Sequence, residues 1–321
     1  MSIPRLTAVI CFANEGEEVE NTCRGIRETC GDEVDILLIN DASTDGVDYE
    51  SVADRYTCRY LVNDEQIGPA HARHKGASWA RTDNIIFLDS HMRFYKEGWH
   101  RIINEIVDDD PDALYCTRSR PLKRGGVYDG GVVGHGASMT METDSFLSSL
   151  QPKWNIKPLA ETGASYIPCI LGGNYASRRD YFLGIGGYRG LHRYGGEEAL
   201  VSIKSWLAGG GCKLIEDVEI GHIYRDEKGA PWNDNIKYYH FNKLSTAYTL
   251  FDTPLFERYK ALLQREGTAE AAMKVYESRK NFVERARFLF ESIRKHDIAY
   301  FREINDAFIR GERITPERLT S

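Results

Sequence analysis

Asp89 and His91 stand two residues apart, directly after the apolar run Ile85-Ile86-Phe87-Leu88. Such a run, rich in β-branched and aromatic residues, reads as a buried strand. On an extended chain, side chains two apart project to the same side, so one carboxylate and one imidazole can converge on a single object. A divalent cation fits that pair. The carboxylate suits a hard ion, and the imidazole favours Mn²⁺ or another transition metal over Ca²⁺. An ordinary strand-end turn could carry the same two residues, so the rest of the chain has to decide between the readings.

Other polar residues fall at comparable places. Leu6 to Phe12 is an unbroken apolar run followed by Asn14 and Glu15, and Val34 to Asn40 is followed by Asp41. Uninterrupted apolar strands belong in a parallel sheet covered on both faces. Ligands on such sheets bind outside the carboxyl ends of the strands, which is where these amides and carboxylates lie. Glu197 and Glu198 follow Tyr194-Gly195-Gly196 and open a helix with a Leu200, Ile203, Leu207 stripe. Carboxylates in a first helical turn are also favoured by the macrodipole alone.

The elements that must position these residues alternate. Val19, Cys23, Ile26 and Cys30 keep helical spacing, with Gly31 as a cap. A short helix near Ser51 to Tyr56, a strand at Arg59 to Val62 and a helix at Pro69 to Arg81 lead to the Asp89 strand. Trp99 to Val107 marks a helix and Ala113 to Thr117 a strand. From Pro121 to Pro168 periodicity is lost among glycines, and a long irregular segment of that kind is usually a functional loop or lid. Within it, Trp154 and Tyr166 could pack the segment down or touch a substrate, and packing is the preferred reading. Ile167 to Ser177 reads as one strand with Gly172-Gly173 inside it, a place for close approach. A short helix at Arg178 to Leu183 follows, then the Glu197 helix, and after Lys213 to Glu216 the run Val218 to Arg225. Beyond Trp232 the composition turns aromatic and then charged and helical. The expectation is an α/β fold over residues 1–230, with a mixed, mainly parallel sheet flanked by helices, and a helical extension over 231–321.

The 321 residues suffice for one large domain or two smaller ones. A hydrophobic content of 42% and a charged content of 28% are ordinary for a globular protein. A net charge of −7 gives no support to a phosphate-backbone binder. The seven cysteines are widely spaced and form no CxxC, so neither a disulfide framework nor a zinc knuckle is indicated. No stretch reaches the roughly 18 apolar residues of a membrane span. These features lead to the expectation of a cytoplasmic protein without an integral membrane segment.

Taken together, the pieces resemble the family-2-like glycosyltransferases of the nucleotide-diphospho-sugar transferase (GT-A, Rossmann-like) fold, and among them the catalytic domain of polypeptide N-acetylgalactosaminyltransferases. The resemblance covers roughly residues 6–250. It rests on Asn14-Glu15, Asp41-Ala42-Ser43, the Gly68, Arg73, Gly76 run, Phe87 to His91, Gly172 to Asn174, Arg179 to Phe182, Tyr194 to Glu198 and Gly221 to Arg225. It implies a UDP-sugar donor whose uracil and ribose meet Asp41. It also implies a Mn²⁺ (or Mg²⁺) held by Asp89, His91 and His222, an Arg225 over the phosphates and a Glu197 on the sugar or acceptor. Asn14, Glu15, Gly68, Arg73, Ser90, Gly173 and Trp232 complete the donor site so implied.

The chain departs from the resembled pattern at Gln66, where the family has arginine, at Tyr194, where it has tryptophan, and at Trp232, where it has tyrosine. Glu198 takes the place of an asparagine. A carboxylate there could deprotonate an acceptor hydroxyl and permit single displacement with inversion, whereas a retaining, front-face transfer needs no base. A sugar-nucleotide binding module without catalysis is the alternative from another class. A nucleotidyltransferase would need a glycine-rich basic loop after the first strand, and Phe12-Ala13-Asn14-Glu15 is acidic. The acceptor hydroxyl is left open among a protein side chain, a glycan and a modified nucleic-acid base.

Overall fold

The computed structural model describes residues 3–128, 130–141, 144–224 and 236–315. Its first half alternates as the apolar runs require: β1 (Leu6–Phe12), α1 (Glu18–Cys30), β2 (Val34–Asn40), α2 (Tyr49–Arg55), β3 (Arg59–Val62), α3 (Pro69–Trp79) and β4 (Asn84–Leu88). These strands lie parallel in the order β4-β1-β2-β3, with β1 between β2 and β4. The strands are apolar throughout because helices cover both faces. Ala8, Ile10, Leu38 and Ile86 meet α1 and α2 on one side, while Val9, Leu37, Ile39 and Phe87 meet α3 on the other.

The second half continues with β5 (Met92–Phe94), α4 (Trp99–Asp109), β6 (Leu114–Lys123), β7 (Val127–Tyr128), β8 (Ala137–Met139), β9 (Pro152–Trp154) and β10 (Ala164–Ile167). Then come β11 (Asn174–Arg178), α5 (Arg179–Gly184), α6 (Glu197–Leu207) and β12 (Cys212–Ile223). β11 runs antiparallel between β4 and β6, and β12 pairs with β6, β5 and β10. The sheet is therefore mixed. Helices α7 (Ile236–Leu250), α8 (Thr253–Leu263), α9 (Ala269–Ser278), α10 (Lys280–Glu291) and α11 (Ile298–Ile309) follow. Their Phe241, Leu244, Leu263, Tyr276 and Phe301 join the same core as Phe87, Leu200 and Trp206. Among the described residues no helix is long and apolar enough to cross a membrane.

Three expectations are corrected. The stretch from Pro121 to Pro168 is not irregular throughout: β6 runs on to Lys123, β8 pairs with β9, and β10 joins the sheet beside β12. Strands of two to four residues are too short to display a period. Ile167 to Ser177 is not one strand, because Gly172-Gly173 lie in the break between β10 and β11. Lys213 to Glu216 and Val218 to Ile223 are one strand, β12, whose register shifts between Ile215 and Glu219. Trp154 packs against Tyr224 with ring centroids 5.4 Å apart, and Tyr166 against Trp206 at 5.6 Å.

Helix α3 reaches β1 and β2 so closely that a Cβ on Gly76 would overlap Val9 Cγ1 and stand 2.9 Å from Ile39 Cδ1. Overpacking of this kind costs about 1–3 kcal/mol. Gly76→Ala should therefore lower the urea midpoint with an unchanged slope. An unchanged midpoint would show that the interface is looser than described.

Candidate active site

Strand β4 ends at Leu88, and the chain then turns into β5, which pairs antiparallel with β12 so that Met92 faces His222. That pairing puts residues far apart in sequence side by side. Asp89 Oδ2 lies 3.0 Å from His222 Nε2, and the Nε2 atoms of His91 and His222 are 3.2 Å apart. One ligand atom from each of Asp89, His91 and His222 falls within a 4.8 Å group. Two imidazole nitrogens facing one another next to a carboxylate turn their lone pairs on one point. That donor set fits Mn²⁺ or a similar transition ion.

The surroundings hold these residues in place. The Asp89 amide donates to the Gly173 carbonyl at 3.0 Å, and the Ile223 amide to the His91 carbonyl at 3.1 Å. Ser90 is buried; its carbonyl accepts the Thr22 hydroxyl at 2.8 Å, and the Met92 amide donates to that hydroxyl at 2.9 Å. Glu15 Oε2 lies 3.2 Å from His91 Nδ1, the place of a carboxylate that orients a ligating imidazole and raises its basicity. Burial alone would raise the Asp89 carboxyl, but the paired Arg73 guanidinium and the His222 hydrogen bond hold it well below the usual carboxylate range. Asp89 thus stays ionised, as a metal ligand must.

A cavity of about 300 Å³ opens at the carboxyl ends of β1 and β2, lined by Cys11, Phe12, Asp41, Gly68, Arg193 and Tyr239 among others. Asp41 shapes it from below. The carboxylate accepts Asn63 Nδ2 at 2.8 Å and the amides of Ile67 and Gly68 at 2.9 and 2.8 Å. Gly68 has φ of +85°, and a Cβ there would come within 2.5 Å of Arg193 Cα. A glycine is required on both counts. Asn14 stands aside from the cavity's lining: its side chain accepts the Thr44 amide at 2.6 Å and ties the loop after β1 to the loop after β2.

The carboxylates at the start of α6 complete the arrangement. Glu197 is buried, and both its oxygens accept the Gly195 amide, at 3.1 and 3.0 Å. Burial and the neighbouring Glu198 push its carboxyl up to about 7, against the pull of Arg73. Burial raises Glu198 as well. The Glu198 carboxylate lies against Gly172 so closely that any Cβ there would overlap it, and a Cβ on Gly173 would stand 3.1 Å from His222 Cδ2. The break between β10 and β11 therefore makes room for Glu198 and His222 together.

The structure brings Asp89, His91 and His222 together, sets Glu15 and Arg73 against them, and places Gly172 and Gly173 between Glu198 and His222. Arg225 and Trp232 lie outside the described residues. Sequence reading placed Glu15 in the donor site without foreseeing its contact with His91, and took Tyr239 as one of a dense aromatic group. It did not single out Arg193. Glu15's position at a strand end was the available signal; for Arg193 and Tyr239 only the three-dimensional packing provides one.

Residues 7–132 match the model of the family described as Glycosyl transferase family 2. The chain is 26% identical over 262 residues to polypeptide N-acetylgalactosaminyltransferase 11 of Xenopus tropicalis, covering 71% of this chain and 40% of that protein. It is 31% identical over 179 residues to probable N-acetylgalactosaminyltransferase 9 of Caenorhabditis elegans, covering 52% and 28%. It thus spans less than half the length of these relatives. The crystal structure of GalNAc-T7 with UDP, GalNAc and Mn²⁺ superposes with a TM-score of 0.71 at 20% identity, over 97% of this chain and 58% of that one. S. aureus TarS 1–349 in complex with UDP-GlcNAc gives 0.54 at 12%, over 96% and 92%. In fold the chain is similar to the nucleotide-diphospho-sugar transferases, and in sequence it resembles glycosyl transferase family 2 over residues 7–132 and the polypeptide N-acetylgalactosaminyltransferases over most of its length.

Proposed function

We propose that the chain is a metal-dependent glycosyltransferase that moves a sugar from a UDP-linked donor to an acceptor hydroxyl. The observation that carries this reading is the convergence of Asp89, His91 and His222 within 4.8 Å at the end of β4, next to the strands β1 and β2 whose ends open into the cavity beside Asp41. Asp89, His91 and His222 would hold Mn²⁺ (or Mg²⁺). When bound, such an ion neutralises charge on a departing diphosphate. Glu15 orients His91, and Arg73 keeps Asp89 ionised and in place. The Asp41 end of the cavity receives the base and ribose. In this reading Glu198 takes the proton from the acceptor hydroxyl and the product is inverted, Glu197 sets the position and charge of its neighbour, and Arg225 and Trp232 act on the donor as the resemblance implies.

The solved relatives carrying UDP or UDP-GlcNAc support a uridine donor. The names of the sequence relatives support a polypeptide hydroxyl as the first acceptor to test, ahead of a glycan or a modified base. The same likeness favours a second reading, transfer with retention and no base. The anomer formed, read by NMR, separates the two. Free cysteines throughout fit a reducing cytoplasm.

Asp89→Ala should abolish the Mn²⁺ dependence of UDP binding in calorimetry; binding that still responds to Mn²⁺ would refute the metal site. Glu198→Gln should lower kcat by about 10²–10⁴-fold, the usual worth of a general base, with UDP affinity little changed. Normal turnover would remove Glu198 from the chemistry. A base must be deprotonated to act, and burial raises the Glu198 carboxyl above its ordinary value. Turnover should therefore rise with pH as that carboxyl ionises, and Glu198→Gln should lose the rise. A profile that is flat in both proteins would contradict the assignment.

A further inference from the structure

The segment that delivers the two carboxylates is held from outside the sheet by one side chain of α7. Asn242 is fully buried, and its side chain bonds to the backbone of this segment. Its Oδ1 accepts the His192 amide at 2.7 Å. Its Nδ2 donates to the carbonyls of His192, Tyr194 and Gly195 at 3.0, 3.1 and 2.8 Å. The segment needs holding, because Arg193, Gly195 and Gly196 have φ of +62°, +105° and +81°. A non-glycine residue in that region is costly unless its surroundings fix it. Tyr239, one turn before Asn242, packs on Gly195 so closely that a Cβ there would overlap its ring. Ser245 donates to the Gly190 carbonyl at 2.6 Å. Gly195 in turn donates its amide to Glu197, so the chain of contacts runs from Asn242 through Gly195 to the first carboxylate.

We propose that Asn242 is the positioning residue of the carboxylate pair. The amide fixes the left-handed turn at Arg193 to Gly196 and thereby the direction in which α6 starts and Glu197 and Glu198 point. The catalytic consequence rests on the transferase reading above; the conformational role does not. No other uncharged side chain offers a carbonyl acceptor and two amide donors except glutamine, which is one methylene longer. Aspartate keeps the shape but turns an anion on three carbonyl oxygens.

Asn305 of α11 is a natural comparator. It too is buried and bonded to backbone, accepting the Met139 amide at 2.7 Å and donating to its carbonyl at 2.9 Å, but it serves a different segment. Asn242→Ala, Asn242→Asp and Asn305→Ala should all be compared with the wild type by hydrogen exchange, by UDP–Mn²⁺ calorimetry and by donor turnover. The Asn242 variants should lose amide protection across residues 189–199 while peptides from β1 and β4 keep theirs. They should lose up to about 100-fold in kcat, as a misplaced reacting group does, with little change in UDP affinity or donor KM. Asn305→Ala should lower Tm and leave kcat and the 189–199 peptide unchanged. If Asn242→Ala does not fold, the isosteric Asn242→Asp carries the test. Unchanged exchange over 189–199 in the Asn242 variants would overturn the proposal, as would an equal loss of kcat in Asn305→Ala. A wild type that turns over no sugar nucleotide would refute the transferase reading instead, and the exchange comparison would still decide whether Asn242 sets the segment.

Discussion

Charge withdrawn from water has to be compensated nearby, since an unpaired buried ion costs several kcal/mol. The end of β4 is built around that constraint. Asp89 is ionised there because Arg73 and His222 face it, and Arg73 is tolerated inside because Asp89 answers it, with the Tyr175 ring 6.0 Å from its guanidinium carbon. His91 receives Glu15 on its other nitrogen. Each charged group at this point accounts for another, and together they leave one carboxylate oxygen and two imidazole nitrogens turned towards a common point.

The backbone around this cluster is shaped by what must pass close to it. Gly172 and Gly173 are small because Glu198 and His222 occupy the space a side chain would need, and Gly68 because Arg193 does. These glycines tie the loops after β3, before β11 and before α6 into one surface. The helical extension belongs to that surface. Tyr239 lines the cavity and packs on Gly195, and Asn242 holds the turn before the carboxylates. A helix distant in sequence from Asp89 thus helps decide where the second half of the site stands.

How much of this could be read from the sequence follows from the range of each interaction. β1, β2 and β4 were legible because strands buried on both faces are apolar without interruption. The polar residues after them marked the working edge for the same reason. β7, β8 and β9 left no period to read. His222 stands 131 positions from His91, and only a resemblance, not any local spacing, joined the two before the β5–β12 pairing was seen. Glu15 was flagged at its strand end but its contact with His91 was not foreseen, since a strand end says where a side chain is and not which neighbour it meets. Asn242 carried no signal at all: a single asparagine in an aromatic, helical stretch becomes informative only once the carbonyls around it are known.

Two imidazoles and one carboxylate are proposed to gather a metal against a diphosphate. Electron spin-echo spectroscopy of Mn²⁺ bound to the wild-type protein with UDP tests this directly. Nitrogen couplings from His91 and His222 together with phosphorus coupling from the diphosphate are the result expected. A bound ion with phosphorus coupling alone would place the metal on the nucleotide and away from these residues, and would contradict the account.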